Sequence, residues 1–130
     1  MKPHQPKVLV VDDDENIVSA FREFLAKEQC TVLSTSAAEE ALSLLSRTTV
    51  SLVITDVRMR WQSGVTLLMR IKQLSPVLPV IVITGHPNLI SEEDLRHFGA
   101  EYVFVKPLEL DQIRNAVRKC LNRTRNSGDI

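Results

Sequence analysis

The sequence lacks any apolar stretch long enough to cross a membrane, and it lacks an excess of charge of either sign. No run approaches the roughly 18 apolar residues that a membrane-spanning helix needs. The 16 Lys and Arg residues balance the 16 Asp and Glu residues, which argues against a strongly basic nucleic-acid-binding domain and against an acidic disordered tail. The N-terminal arm, residues 1–6, is polar and leads directly into a predicted strand, so we expect no secretory signal there.

Cysteine is scarce, and the two residues present, Cys30 and Cys120, are far apart and form no C-x-x-C or Cys/His spacing. This pattern predicts buried thiols in a reducing compartment rather than a disulfide or a metal site. Together with the absences above, it predicts a cytoplasmic protein. The 130 residues, 44% of them hydrophobic, are enough for one domain with a substantial core. We place that domain at residues 7–123, followed by a disordered tail or the start of a linker at 124–130.

The hydrophobic pattern alternates between short β-branched runs and amphipathic stretches. The runs, which suit strands buried on both faces, are Val8–Val11, Cys30–Leu33, Val50–Ile54, Val80–Ile83 and Tyr102–Val105. Helical spacing of apolar residues follows four of the runs, the last stretch spanning about Glu109 to Arg123. After the fourth run the pattern is weaker, and there we predict a short helix that Ser91 caps and Gly99 ends in a left-handed conformation. Strict alternation of strand and helix predicts an α/β fold, a doubly wound five-stranded parallel sheet with helices on both faces.

Polar residues follow the predicted strands at the edge where such sheets bind ligands. Asp12 and Asp13 come after the first strand, Asp56 after the third, Thr84 after the fourth and Lys106 after the fifth. Clustered carboxylates repel one another unless a cation lies among them, and hard oxygen ligands suit Mg²⁺. A carboxylate facing Mg²⁺ and a lysine is able to attack phosphorus. Two roles are open for Asp14, the third acid after the first strand: it belongs to the acidic cluster, or it caps the next helix.

These residues carry a resemblance to the bacterial response-regulator receiver domain, over about Lys7 to Arg123. Its motifs are Val10-Val11-Asp12-Asp13-Asp14, Thr55-Asp56-Val57-Arg58-Met59, Gly64, Thr84-Gly85 and Lys106-Pro107. Each motif alone is a weak signal, but their order and spacing together are specific. The resemblance implies a flavodoxin-like (βα)5 fold with strand order 2-1-3-4-5. It also implies a phosphoacceptor in a two-component phosphorelay that switches conformation to control an output.

Residue roles follow from the same resemblance. Asp56 matches the aspartate that accepts a phosphoryl group from a sensor histidine kinase or phosphotransfer protein. Asp12 and Asp13 match the acidic pair that helps to hold Mg²⁺, for which Mn²⁺ is a substitute, and Asp13 and Asp56 are favoured as the direct ligands. The backbone carbonyl of Arg58 matches a further ligand. Thr84 and Lys106 match the hydroxyl and the ammonium group that contact the phosphoryl group. Further implied partners are an output domain or protein and a second copy of the chain, docked through the fourth helix, fifth strand and fifth helix.

The sequence departs from the family pattern at several positions. Receivers usually carry Tyr or Phe three residues before the lysine, where this chain has Val103. Either switching uses Thr84 without an aromatic partner, which we favour, or the fifth strand is shifted in register. We expect Tyr102 and Phe104 to pack under the fifth helix instead. Arg60 replaces the usual proline after the acceptor, and this should loosen the loop without abolishing the chemistry; we expect the following Trp61 to pack locally.

Two further side chains are candidates for tuning the lifetime of the phosphorylated state. Arg58 and His86 lie two residues beyond the acceptor and beyond Thr84, positions that flank the phosphoryl group in receivers. We hypothesise that their bulk slows attack by water, with the alternative that both point into solvent. The last helix and tail carry five basic residues, which we attribute to a favourable helix C-terminus or a linker rather than to contact with DNA.

Two other functions were weighed against the receiver. A phosphatase of the haloacid-dehalogenase kind would use Asp12-x-Asp14, Thr84 and Lys106, but the acidic pair that it needs on a strand end after the lysine is missing. A binding-only pseudo-receiver would keep the fold without accepting a phosphoryl group. We therefore expect a signalling phosphoacceptor, which takes part in its own phosphorylation and dephosphorylation, rather than a turnover enzyme.

Overall fold

A computed structural model of the chain describes residues 5–59, 62–85 and 90–128. The strands are β1 (Lys7–Val11), β2 (Thr31–Thr35), β3 (Leu52–Asp56), β4 (Arg58–Met59), β5 (Gln62–Ser63), β6 (Val80–Thr84) and β7 (Tyr102–Val105). The helices are α1 (Glu15–Lys27), α2 (Ala38–Arg47), α3 (Gly64–Leu74), α4 (Glu92–His97) and α5 (Leu110–Gly128). None of the helices in these ranges combines the length and the hydropathy that spanning a membrane requires.

Five parallel strands form the main sheet in the order β2-β1-β3-β6-β7. Counting only these strands, the order is 2-1-3-4-5, which confirms the predicted topology. The central strands β1, β3 and β6 are buried along nearly their whole length because helices cover both faces. Their β-branched residues alternate between the two faces, as strands of this kind require.

Two apolar layers enclose the sheet. One layer packs α1 and α5 against one face, with Phe21, Phe24, Ile113 and Val117 among its buried members. The other packs α2, α3 and α4 against the opposite face, with Leu68 as one of its fully buried residues. The sheet therefore has little freedom to shift, and the loops at the carboxyl ends of its strands are held on a rigid frame.

Several predicted boundaries were wrong by a few residues. Three strands run further toward the site than predicted: β2 ends at Thr35 rather than Leu33, β3 at Asp56 rather than Ile54, and β6 at Thr84 rather than Ile83. In β3, Thr55 and Asp56 still pair with β6. The hydrophobic pattern does not predict the short antiparallel pair β4–β5, which the structure contains. The last helix continues past its predicted end at Arg123 to Gly128, so residues 124–128, expected to be a disordered tail or the start of a linker, are helical. No proline or glycine interrupts the chain there before Gly128, so the helix ladder continues.

Other predictions of local structure are confirmed. Ser91 caps α4 by accepting a hydrogen bond from Asp94 N at 3.0 Å, and Gly99 follows the helix with a φ of 115°, in the left-handed region. Both cysteines are buried. Arg60, Trp61 and His86 lie outside the described residues, so what the sequence predicts for them stays a prediction.

Candidate phosphoacceptor site

The polar residues predicted at the strand ends meet at one edge of the sheet. Asp56 is the last residue of β3 and is 5% exposed, and Thr84 is the last residue of β6 and is 3% exposed. Lys106 directly follows β7 and donates a hydrogen bond from Nζ to Asp56 Oδ2 at 3.0 Å. A backbone hydrogen bond from Lys106 N to Thr84 O, 2.8 Å long, ties two of these residues together. The predicted acceptor, hydroxyl and ammonium group are thus gathered on three neighbouring strands.

Asp12 completes the acidic part of the site. It directly follows β1, is 3% exposed, and its Oδ2 lies 3.8 Å from Lys106 Nζ. Burial, opposed by a hydrogen bond from Asp14 N and reinforced by the charge of Asp56, raises the pKa of Asp12 to about 6. Asp13, by contrast, is exposed, and its negative charge also raises the pKa of Asp12.

The lysine is held charged by these acids. Burial alone lowers the pKa of Lys106, but the hydrogen bond to Asp56 and the charges of Asp12 and Asp56 outweigh it and raise that pKa above its usual value. The peptide bond that follows, between Lys106 and Pro107, is cis. Gly85 lies beside the stem of the lysine, and a Cβ at that position would make only an ordinary contact, 3.6 Å from Lys106 Cδ.

The structure gives a steric reason for the motif glycine Gly64, which its spacing from Asp56 alone does not explain. A Cβ on this glycine would overlap the carbonyl oxygen of Asp56 and would lie 2.6 Å from both Cα and O of Val57. Gly64 N also donates a hydrogen bond to Val57 O at 2.7 Å. The start of α3 therefore presses against the backbone that carries the acceptor, and only glycine fits there.

In the hairpin formed by β4 and β5, the backbone carbonyl of Arg58 points away from the partner strand. Arg58 of β4 stands opposite Ser63 of β5, and the bond from Gly64 N to Val57 O closes the neighbouring pair. Hydrogen-bonded and non-hydrogen-bonded pairs alternate in an antiparallel ladder. Arg58 therefore occupies a non-hydrogen-bonded position, and its carbonyl faces away from β5. The resemblance to receiver domains implies this same carbonyl as a metal ligand.

The donors at this edge fit Mg²⁺. Asp12 Oδ2 is buried and has no hydrogen-bond partner among the described residues, which is the situation that a hard cation relieves. Within residues 5–59, 62–85 and 90–128, no three or more His, Cys, Asp or Glu side chains form a ready-made metal-binding cluster. The two observations are compatible, because Mg²⁺ keeps several waters and takes few ligands from the protein.

Asp14 serves the local structure at this edge. Its side chain caps α1 by accepting a hydrogen bond from Asn16 N at 2.9 Å, and its own N–H donates to Asp12 Oδ1 at 2.9 Å. Of the two roles that the sequence left open for this residue, the structure therefore shows the helix cap.

Val103, which replaces the usual switch aromatic, lies on the face of β7 that the strand register predicts. Val103 packs into the apolar layer of α4, whereas Tyr102 and Phe104 pack into the layer of α1 and α5 with their ring centroids 6.4 Å apart. The predicted packing of the two aromatics is confirmed. The fifth strand is in register with β6, where Val82 stands opposite Val103, so no shift moves an aromatic ring into the switch position.

The bases of α5 are largely engaged with acids of the same domain. Ion pairs join Arg114 to Asp111 at 2.8 Å, Arg118 to Glu28 at 2.6 Å and Arg123 to Glu101. A further contact places the Arg114 guanidinium 5.6 Å from the centre of the Phe24 ring. These pairs reduce the positive charge that this helix presents to solvent.

Comparisons with known proteins show the family to which the chain belongs. The family model described as response regulator receiver domain matches residues 8–118. The chain is 32% identical over 120 residues to the C4-dicarboxylate transport transcriptional regulatory protein DctD of Rhizobium meliloti, covering 92% of this chain but 26% of that protein. It is 30% identical over 115 residues to sporulation initiation phosphotransferase F of Bacillus subtilis, covering 88% of this chain and 93% of that protein.

Solved structures agree as well. The crystal structure of a response regulator receiver domain protein from Clostridium thermocellum matches with a TM-score of 0.84 and 30% identity, covering 92% of this chain and 97% of that one. The chain belongs to the response-regulator receiver domain family, whose members are phosphoacceptors in two-component signalling. It spans about a quarter of the length of relatives such as DctD.

Proposed function

We propose that this chain accepts a phosphoryl group on Asp56 from a sensor histidine kinase or a phosphotransfer protein, in a reaction that depends on Mg²⁺ and tolerates Mn²⁺. The observation that carries the proposal is the contact between the buried Asp56 Oδ2 and the half-buried Lys106 Nζ, 3.0 Å apart, with the buried carboxylate of Asp12 beside it. A nucleophilic carboxylate next to a fixed ammonium group suits transfer of a phosphoryl group.

The transfer exchanges one bond to phosphorus for another. A carboxylate oxygen of Asp56 forms a bond to phosphorus while the bond between phosphorus and the donor's imidazole nitrogen breaks, and the electron pair of that bond leaves with the imidazole. Lys106 Nζ balances negative charge on the phosphoryl oxygens, and the Thr84 hydroxyl donates a hydrogen bond to one of them. Because the frame around β3, β6 and β7 is rigid, these groups need little rearrangement.

Asp12, Asp13, Asp56 and the carbonyl of Arg58 are the groups that would hold the metal ion. When bound, Mg²⁺ neutralises charge on the phosphoryl oxygens and so lowers the barrier to transfer. The buried Asp12 Oδ2 supports this assignment, because it has no hydrogen-bond partner among the described residues. Asp13 is exposed in the structure, and its place in the set rests on the family resemblance.

Phosphorylation then biases a rearrangement of α4, β7 and α5 that controls an output. With Val103 on the α4 side of β7, the switch works through Thr84 and aliphatic packing rather than through a swinging ring. An output domain or partner protein reads this surface, and a second copy of the chain is a further candidate occupant. A cytoplasmic location, and a role as signalling phosphoacceptor rather than as turnover enzyme, remain parts of the proposal.

The test is the mass of the intact protein after incubation with acetyl phosphate. We expect a gain of one phosphoryl group with MgCl₂ or MnCl₂, no gain with excess chelator, and no gain in Asp56→Ala. Asp13→Ala should shift the response to higher MgCl₂ concentrations, and Asp111→Ala, at an exposed acid away from the site, is the matched control that should behave as wild type.

Two results would contradict the proposal. Absence of any mass gain, with acetyl phosphate and with a phosphorylated histidine kinase alike, would indicate a binding-only pseudo-receiver. Steady hydrolysis of a phosphate ester that survives Asp56→Asn but not Asp12→Asn would indicate a phosphatase of the haloacid-dehalogenase kind.

A further inference from the structure

Asp12 owes its position to hydrogen bonds from two directions. Its side-chain Oδ1 accepts from Asp14 N at 2.9 Å, and its backbone N donates to the carbonyl of Thr35 at 3.1 Å. The second bond comes from the neighbouring strand, because Thr35 ends β2 and pairs with Val11 of β1. With Oδ1 engaged by Asp14 N, Oδ2 is left on the side of Lys106, where the acceptor lies.

Thr35 is itself one of the few buried polar residues in the described part of the chain. The set comprises Asp12, Thr35, Thr55, Asp56 and Thr84, three of which belong to the phosphoacceptor site. Thr35 is 8% exposed, and its Oγ1 accepts a hydrogen bond from Ala37 N at 3.1 Å. A buried hydroxyl that closes a turn in this way fixes the backbone on both sides of itself.

This hydroxyl ties the chain at the start of α2. Ala37 occupies the N-cap position of α2, and no side chain caps that helix end. The Thr35 hydroxyl accepts a hydrogen bond from the backbone N–H of Ala37 itself, and so joins the end of β2 to α2. The carbonyl that receives Asp12 N lies within the same turn.

We propose that Thr35 is a positioning residue for Asp12: its hydroxyl fixes the turn between β2 and α2, and its carbonyl thereby holds the Asp12 backbone in the geometry that leaves Oδ2 on the side of Lys106, where it would help to hold the metal ion. This inference rests on the proposed function, since it assigns to Asp12 a role in binding Mg²⁺. It predicts that loss of the hydroxyl weakens metal binding although Thr35 touches neither metal nor phosphoryl group.

The test compares three variants by calorimetric titration with MgCl₂ at a pH well above the pKa of Asp12. Thr35→Val removes the hydroxyl at nearly constant shape, and we expect its dissociation constant for Mg²⁺ to rise about fivefold. Thr35→Ser keeps the hydroxyl and should bind like wild type. Thr31→Val removes another hydroxyl from the same strand, one that contacts Gln5 at 3.3 Å instead of the turn, and should also bind like wild type.

A second measurement separates positioning from stability alone. In Thr35→Val, the MgCl₂ concentration for half-maximal phosphorylation by acetyl phosphate should rise by the same factor, while the rate at saturating MgCl₂ stays within about twofold of wild type. If Thr35→Val unfolds, Thr35→Ala takes its place in both measurements.

The outcomes distinguish the two proposals. A folded Thr35→Val or Thr35→Ala protein that binds Mg²⁺ as wild type does overturns the positioning role and leaves the proposed function intact. A Thr35→Ser protein as weak as Thr35→Val overturns it too, because the hydroxyl is then irrelevant. A wild-type protein that takes neither Mg²⁺ nor a phosphoryl group overturns the proposed function itself.

Discussion

Replacing Gly64 with alanine sets two physical effects against each other. Gly64 begins α3, and alanine is the better helix former by at most about 1 kcal/mol, so propensity alone predicts stabilisation. The added Cβ, however, would lie 2.6 Å from Cα and O of Val57 and would overlap the carbonyl oxygen of Asp56. Ordinary contact between such atoms needs about 3.5 Å, so α3 or the acceptor backbone has to move by about 1 Å.

The neighbouring atoms have little freedom to yield. They belong to backbone rather than to a flexible side chain, and Val57 N is bonded to Ile83 O at 3.0 Å across to β6. Overpacking of this kind costs about 2–3 kcal/mol, which exceeds the gain in helix propensity. We therefore expect Gly64→Ala to lose about 1–2 kcal/mol of the free energy of unfolding in urea, and to accept a phosphoryl group more slowly.

Gly85→Ala is the matched control. A Cβ at Gly85 would make only an ordinary contact, 3.6 Å from Lys106 Cδ, and the φ of Gly85 lies outside the left-handed region. We expect its free energy of unfolding to stay within about 1 kcal/mol of wild type. A Gly64→Ala protein that is as stable as wild type, or more stable, would refute the steric argument.

Three further predictions concern the site. The pKa of Asp12 is about 6 in the fold against an ordinary 3.8, so protonation of this carboxyl stabilises the metal-free fold at low pH. This contribution to the free energy of unfolding is lost as the pH rises through about 6. Asp12→Asn should remove that dependence and stabilise the metal-free protein at neutral pH by about 2 kcal/mol in urea titrations; an unchanged pH profile contradicts this. Asp14→Ala should cost about 1 kcal/mol in the same assay and Asp14→Asn almost nothing, because asparagine also caps α1; equal losses would rule out the cap as the cause. Arg58→Ala and His86→Ala should each shorten the half-life of the acyl phosphate, and unchanged half-lives would dismiss the tuning hypothesis.

The sheet and the main acceptor residues were within reach of sequence reasoning. Buried parallel strands produce β-branched runs, and their carboxyl ends meet at one edge, so Asp56, Thr84 and Lys106 were identified by position and by resemblance before the structure. The residue types at the strand ends therefore indicate where the candidate site lies. The structure adds the 3.0 Å contact between Lys106 Nζ and Asp56 Oδ2 and the burial of Asp12.

Other features depend on contacts that no local pattern records. The bond between Asp12 N and Thr35 O exists only because β1 and β2 pair in one particular register. The β4–β5 pair consists of two residues on each side, too short for a periodic signal. A glycine at the start of a helix is the sequence signal for a close approach between that helix and a neighbouring backbone, and Gly64 at the start of α3 carries this signal.

The central claim is that Asp56, and no other carboxylate of the acidic edge, receives the phosphoryl group. Borohydride reduction of the phosphorylated protein converts an aspartyl phosphate to homoserine, and peptide mass mapping then locates it. The account predicts homoserine at position 56 alone, and only when acetyl phosphate and MgCl₂ are both present. Homoserine at Asp12 or Asp13, or an even distribution among the three, would contradict it.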